Sequence, residues 1–202
     1  MRVGVVNLGA IVSGDWRAPF VDGDALVAAD GLLEAVGQVP PAALDACDVV
    51  IDAGGATAIP GLIDSQVHVT FGDFTPRQNT VGYLTSYVHG GTTTAISASE
   101  VHVPGRPKDP AGVKALAVAA FKCFEHYRPG GMRVHGGSII LEPGLTRADF
   151  DDVHRAGVWL AKAGFGAVET ACDYVALVRD ARNAGLLTTL HTGGASIPGS
   201  FP

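Results

Sequence analysis

The rhythm of the chain changes once, near residue 58, and that change restricts the fold more than any other feature of the sequence. Before it, short apolar runs at 3–6, 10–13, 24–29, 32–36 and 49–51 are broken at Ser13-Gly14-Asp15, Asp22-Gly23-Asp24 and Asp30-Gly31. Asp-Gly pairs supply the positive φ angles that tight hairpins need. Residues 1–57 therefore read as strands of a small β-sandwich or sheet rather than as helix. After the change, strand-like runs at 59–69, 92–97, 133–141, 166–169 and 186–191 alternate with helical patterns at 76–89, 111–127, 147–156 and 172–184. The second helical pattern is the clearest. Val113, Leu116, Ala117, Ala120, Phe121 and Phe124 recur at three- and four-residue steps, Pro110 opens the segment and Pro129-Gly130-Gly131 closes it. Thr146 with Asp149 makes an acidic variant of the capping box before the third helix, and Gly185 stands at the exit of the fourth.

Alternation of this kind builds a parallel sheet with right-handed crossovers. The strands and helices counted above make either an open doubly wound sheet or the first five-eighths of a (β/α)8 barrel. No Gly-x-Gly-x-x-Gly follows a strand, which weighs against a dinucleotide-binding fold. In the barrel case the unclosed sheet leaves apolar strand edges, so another chain or segment has to complete it.

Composition excludes several function classes. With 47% of 202 residues hydrophobic and 17% charged, the chain has the balance of a well-buried domain. A formal charge of −6 with no Lys/Arg cluster argues against a nucleic-acid surface. Cys47, Cys123 and Cys172 are widely spaced and form no Cys-x-x-Cys, so they read as buried thiols in a reducing compartment. The N-terminus lacks a signal-peptide core and no apolar run reaches membrane-spanning length. The expectation is a cytoplasmic protein with no membrane partner.

The boundary itself carries chemistry. The run Thr57-Ala58-Ile59-Pro60-Gly61-Leu62-Ile63-Asp64-Ser65-Gln66-Val67-His68 nearly spells a strand ending in His-x-His. Side chains two apart on a strand share a face, so such a pair offers two imidazoles to one transition metal. Here Gln66 stands in the first place, and its neutral amide is a much weaker ligand than imidazole.

The stretch Ile59-Pro60-Gly61-Leu62-Ile63-Asp64, followed by Val67-His68-Val69, resembles the first barrel strand of the amidohydrolase superfamily of metal-dependent hydrolases. Within that superfamily the chain is similar to the cyclic-enamide hydrolases. The similarity runs through Pro76-Arg77-Gln78, His89-Gly90-Gly91-Thr92-Thr93, Pro104-Gly105-Arg106-Pro107-Lys108-Asp109, Val134-His135-Gly136-Gly137 and His191-Thr192-Gly193-Gly194-Ala195-Ser196-Ile197-Pro198-Gly199-Ser200. The fold this implies is α/β, a partial (β/α)8 (TIM-type) barrel over 58–202 preceded by a β-sandwich portion over 1–57. The activity it implies is hydrolysis of a C–N bond in a cyclic amide or related small molecule by water activated on a divalent metal, zinc or iron.

In such enzymes, the resemblance further implies, metal ligands come from the His-x-His of the first strand, a carboxylate or carbamylated Lys on the fourth, His on the fifth and sixth, and an Asp on the eighth. Carried over, His68 and His191 are the metal ligands expected here. Gln66 replaces the first His, and Ala163 falls at the fourth-strand position. Lys162 and Glu169 lie nearby but out of register with that position. The later ligands fall past Pro202, so at most one ion is expected through this chain. His135, Arg106 and Ser196 are the expected substrate contacts, Arg106 as a partner for an anionic group. The chain is thus expected to be a subunit or N-terminal part of a hydrolase, completed by a complementary or homologous amidohydrolase chain. The alternative is a catalytically degenerate relative that supports an active partner.

Overall fold

Asp30 and Gly31 form the tightest turn of the N-terminal unit, with φ angles of 51° and 85°. Both central residues lie in the left-handed region, as a two-residue hairpin demands, and they join strands β3 (Ala25–Ala29) and β4 (Leu32–Gly37). The computed structural model describes residues 1–68, 80–98, 105–164, 167–168 and 170–191. The chain folds as two compact units, Met1–Gly61 and Leu62–Pro202.

In the first unit, β1 (Arg2–Val6) lies antiparallel to β3 and parallel to β5 (Val49–Asp52), giving the sheet order β4-β3-β1-β5. The short strands β2 (Ala10–Ile11) and β6 (Thr57–Ala58) pair separately. Leu8, Ile11, Ala25 and Val27 are buried, whereas Leu32, Leu33, Val49, Val50 and Ile51 stand exposed. The turn-punctuated reading of this region finds five of its six strands, missing the two-residue β6, and misses one helix, α1 (Pro41–Asp45). That helix is a single five-residue turn with no buried residue, so it leaves no apolar periodicity to detect.

The second unit alternates as expected. Strand β7 (Leu62–Val67) precedes α2 (Thr80–His89), β8 (Thr92–Ser97) and α3 (Pro110–Phe124). Then come β9 (Arg133–His135), β10 (Ser138–Ile140), α4 (Arg147–Arg155), β11 (Leu160–Ala163), α5 (Tyr174–Asn183) and β12 (Leu187–Leu190). All strand pairs are parallel, in the sheets β7-β8-β9 and β10-β11-β12. The caps follow the chemistry of the sequence. Asp109 accepts from the Gly112 amide at 2.9 Å, and Thr146 with Asp149 closes a reciprocal capping box.

Strands β9 and β10 are successive pieces of one strand interrupted by Gly136-Gly137. Val134 packs with Leu84 and Phe124, whereas Ile139 and Leu141 join the cluster of Phe150, Val153 and Leu177. The helix-facing positions thus switch from even to odd numbers, a one-residue slip that Gly137 absorbs at φ 93°. The glycines also admit α3. A Cβ on Gly136 would lie 2.9 Å from the Ala120 carbonyl oxygen, and one on Gly137 would lie 2.7 Å from Phe121 Cβ.

Two boundaries differ from the sequence reading. The fourth strand of this unit is β11 at Leu160–Ala163, not 166–169, of which the described residues Ala167 and Val168 are not in a strand. Leu-Ala-Lys-Ala carries no β-branched or aromatic residue, so its strand character comes from burial between neighbours rather than propensity. Helix α2 is described from Thr80; residues 76–79 lie outside the described residues.

Candidate active site

Parallel strands place their C-terminal ends on one side of a sheet, where loops bring side chains together. His68 directly follows β7. It and Gln66 flank Val67, which is buried against Leu84 and Ala95, so the strand presents both polar side chains away from that contact, and both are exposed. His191 directly follows β12 and is half-buried, its amide donating to the Ala163 carbonyl at 3.1 Å. Gly164, at φ 118°, makes this approach possible, because a Cβ there would lie 2.6 Å from His191 Cβ.

The register of β10, β11 and β12 separates two faces. Ile139, Ala161 and Thr188 are in line, as are Ile140, Lys162 and Thr189. Ala161 and Ala163 belong to the cluster built with α4 and α5, so Ala163 faces the helices. Lys162 faces the opposite way and is buried, and desolvation holds its ammonium below the ordinary lysine range. The inward fourth-strand position is therefore that of Lys162, one residue from where alignment set it. The sequence reading set Lys162 aside because the resemblance put the fourth-strand position at Ala163, one residue away and so on the other face.

Arg106 is not a solvated loop charge. Its Nη2 lies 2.6 Å from Glu142 Oε1, with the guanidinium 11% and the carboxylate 0% exposed. The contact is close but off the N–H axis, so charge rather than a directed hydrogen bond holds it. The other oxygen of Glu142 accepts the Ala167 amide at 2.5 Å, and Arg106 Nη1 donates to the Pro107 carbonyl at 3.2 Å. Glu142 escaped the sequence reading; its one signal is a carboxylate placed directly behind the apolar run of β10. His135 stacks edge-on against Trp159 with centroids 5.3 Å apart. Burial, reinforced by the charges of Arg133 and Arg128, holds its imidazole below the ordinary value. Ser196 and Glu169 lie outside the described residues.

Among the described residues, no three His, Cys, Asp or Glu side chains gather closely enough to hold a metal ion. His68 and His191 offer two imidazoles, and Gln66 adds no donor of comparable strength. The described donors do not fit a metal ion on their own.

Parallel strands crossed by helices and preceded by a small sheet unit fit a sandwich portion and part of a barrel, and 45% identity to a solved amidohydrolase-superfamily structure over 98% of the chain shows that the chain belongs to that superfamily. Its sequence is 46% identical over 199 residues to an enamidase from Eubacterium barkeri, a match covering 97% of this chain and 51% of that protein. A crystal structure of enamidase, described as a member of the amidohydrolase superfamily, matches with a TM-score of 0.86 and 45% identity, over 98% of this chain and 52% of the other. The chain thus spans about half the length of these relatives. An imidazolonepropionase from Pseudomonas putida is 32% identical over 106 residues, 46% of this chain and 26% of that protein. L-Hydantoinase from Arthrobacter aurescens shares the fold at a TM-score of 0.64 and 19% identity, over 94% of this chain and 40% of the other. No protein-family model matches the chain.

Proposed function

We propose that this chain is part of an enamidase-like hydrolase that opens a C–N bond in a cyclic amide or related small molecule. The observation that carries the reading is 46% identity to an enamidase sustained along 97% of the chain. A divalent metal, zinc or iron, would supply the chemistry such hydrolysis needs by lowering the pKa of bound water toward neutrality. His68 and His191 would hold part of one such ion, and its other ligands would come from groups beyond the described residues. His135, Arg106 and Ser196 would contact the small-molecule substrate, with Lys162 lining the inward face of the strands.

The rest of the barrel would come from a complementary or homologous amidohydrolase polypeptide. Supporting this, Leu62 and Ile63 on β7 and Leu187 and Leu190 on β12 are exposed. β7 and β12 are also terminal strands of their sheets among the described residues. An open groove beside α5 and β12, lined by Tyr174, Val175, Val178 and Leu190 together with Arg179, Arg182 and Asn183, fits a neighbour with an apolar face and a polar rim. The three thiols are not buried as the sequence suggested, since Cys123 and Cys172 are exposed and Cys47 is half-buried, and as free thiols they fit a reducing cytoplasm.

Gln66 supports the second reading, a degenerate subunit that assembles with an active partner. Affinity purification through a tag on this chain separates the two. Elemental analysis and turnover of a panel of cyclic amides are measured on wild type and His191→Ala. Loss of metal and turnover from an intact complex supports the enzyme. Unchanged turnover in that complex overturns it.

A further inference from the structure

The only fully buried carboxylate among the described residues, Glu142, binds two segments that the sequence keeps apart. Arg106 lies between β8 and α3, Ala167 lies between β11 and α5, and Glu142 follows β10 between them. One oxygen takes the Arg106 guanidinium and the other takes the Ala167 amide. Each of these residues follows the C-terminal end of a strand, the side on which parallel α/β proteins build their sites. A carboxylate with no exposure is costly unless its charge is matched, and here each oxygen has its own partner.

We infer that Glu142 is a positioning residue, a latch that fixes Arg106 and the backbone at Ala167 against the end of β10 before any substrate arrives. Binding both segments to one buried carboxylate removes their freedom relative to each other, which is the preorganisation a binding site needs. The apolar end of α3 closes over the same point. Val113, Leu116 and Ala117 line a small cavity with Arg106, Ser138 and Ile140, so the guanidinium is hemmed in on its hydrocarbon side as well. Glu142 touches no reacting atom in this scheme. It acts through Arg106, and so rests on the substrate-contact role proposed above for that residue.

The test uses the full chain, in its assembly, without substrate. Hydrogen exchange is followed at residues 105–109 and 167–168 and, as controls, in β11 and α4. Variants are Glu142→Gln, Arg106→Met, and the double Glu142→Leu/Arg106→Met, which leaves no buried charge unpaired and keeps the comparison valid where a single variant fails to fold. The expected result is at least tenfold faster exchange at 167–168 in the double variant, with β11 and α4 at wild-type protection. Wild-type protection at 167–168 in the double variant overturns the latch. So does exchange that rises equally across α4 and β11, which is the mark of a merely structural core group.

The kinetic arm follows. The latch predicts that Glu142→Gln, which leaves Arg106 in place, raises KM about tenfold with kcat changed little, whereas a structural role predicts both unchanged in the folded variant, and that outcome overturns the latch. Wild-type protein that turns over no cyclic amide sinks the functional proposal, while the exchange data still decide the latch.

Discussion

Gly164 and His191 are in such close approach that the space for a side chain at one is taken by the other: a Cβ on Gly164 would lie 2.6 Å from the His191 Cβ. The glycine directly follows β11, the histidine directly follows β12, and the Ala163 carbonyl receives the His191 amide between them. Glycine is needed twice over, for room and for its φ of 118°.

Gly164→Ala should therefore displace His191. Backbone strain at such a position is of the order of 1–3 kcal/mol, to which the steric displacement adds. Denaturant midpoints should fall, and metal content of the purified assembly should fall with them. An alanine variant of unchanged stability and metal content would remove His191 from the proposed site.

Gly136 is constrained from the other side of the sheet. A Cβ there meets the Ala120 carbonyl oxygen at 2.9 Å and Phe124 Cδ2 at 2.9 Å. Gly136→Ala should destabilise the unit by roughly 1–3 kcal/mol through overpacking. Adding Phe124→Leu should recover little, because the helix carbonyl remains in place. Full recovery on trimming Phe124 would show that the ring alone sets the limit.

His135 gives the second unit a pH dependence. Burial and the neighbouring Arg133 and Arg128 lower its pKa from the ordinary 6.5, so the unfolded chain binds a proton that the folded chain resists. The stability this represents is present above pH 6.5 and is lost as pH falls through the folded value. His135→Gln should flatten the loss of stability between neutral pH and mildly acidic pH. Urea titrations across that range measure it, and identical acid limbs in variant and wild type would count against the assignment.

Which of these features the sequence could reveal depended on how local their causes are. Strands β3 and β4 were legible because Asp30-Gly31 carries its own turn chemistry, and α3 because Pro110, the apolar stripe and the closing glycines all lie within it. Strand β11 was not, since Leu-Ala-Lys-Ala becomes a strand only between β10 and β12. The inward direction of Lys162 was missed separately, because the resemblance set the position at Ala163, which faces the helices. The pairing of Arg106 with Glu142 was equally invisible, because it joins residues from two separate crossovers that only the folded sheet brings together. The two imidazoles, His68 and His191, were found from motif resemblance, which supplies positions but no geometry.

Lys162 supplies the last prediction. It is buried on the face opposite the helices, and desolvation lowers its pKa from 10.5. The unfolded chain holds the proton more tightly than the folded one, so this residue's contribution to stability improves as pH rises toward 10.5. Lys162→Met keeps much of the side-chain length and removes the titrating group. It should remove part of the stability gain that wild type shows on moving to alkaline pH. A buried amine on the inward face with a lowered pKa is a candidate for the proposed site, so turnover by the assembly should fall in this variant. Denaturation midpoints at pH 7 and 10, with turnover on the same preparations, decide the matter: a methionine variant that is less stable at pH 7 and fully active would show that Lys162 serves the core alone.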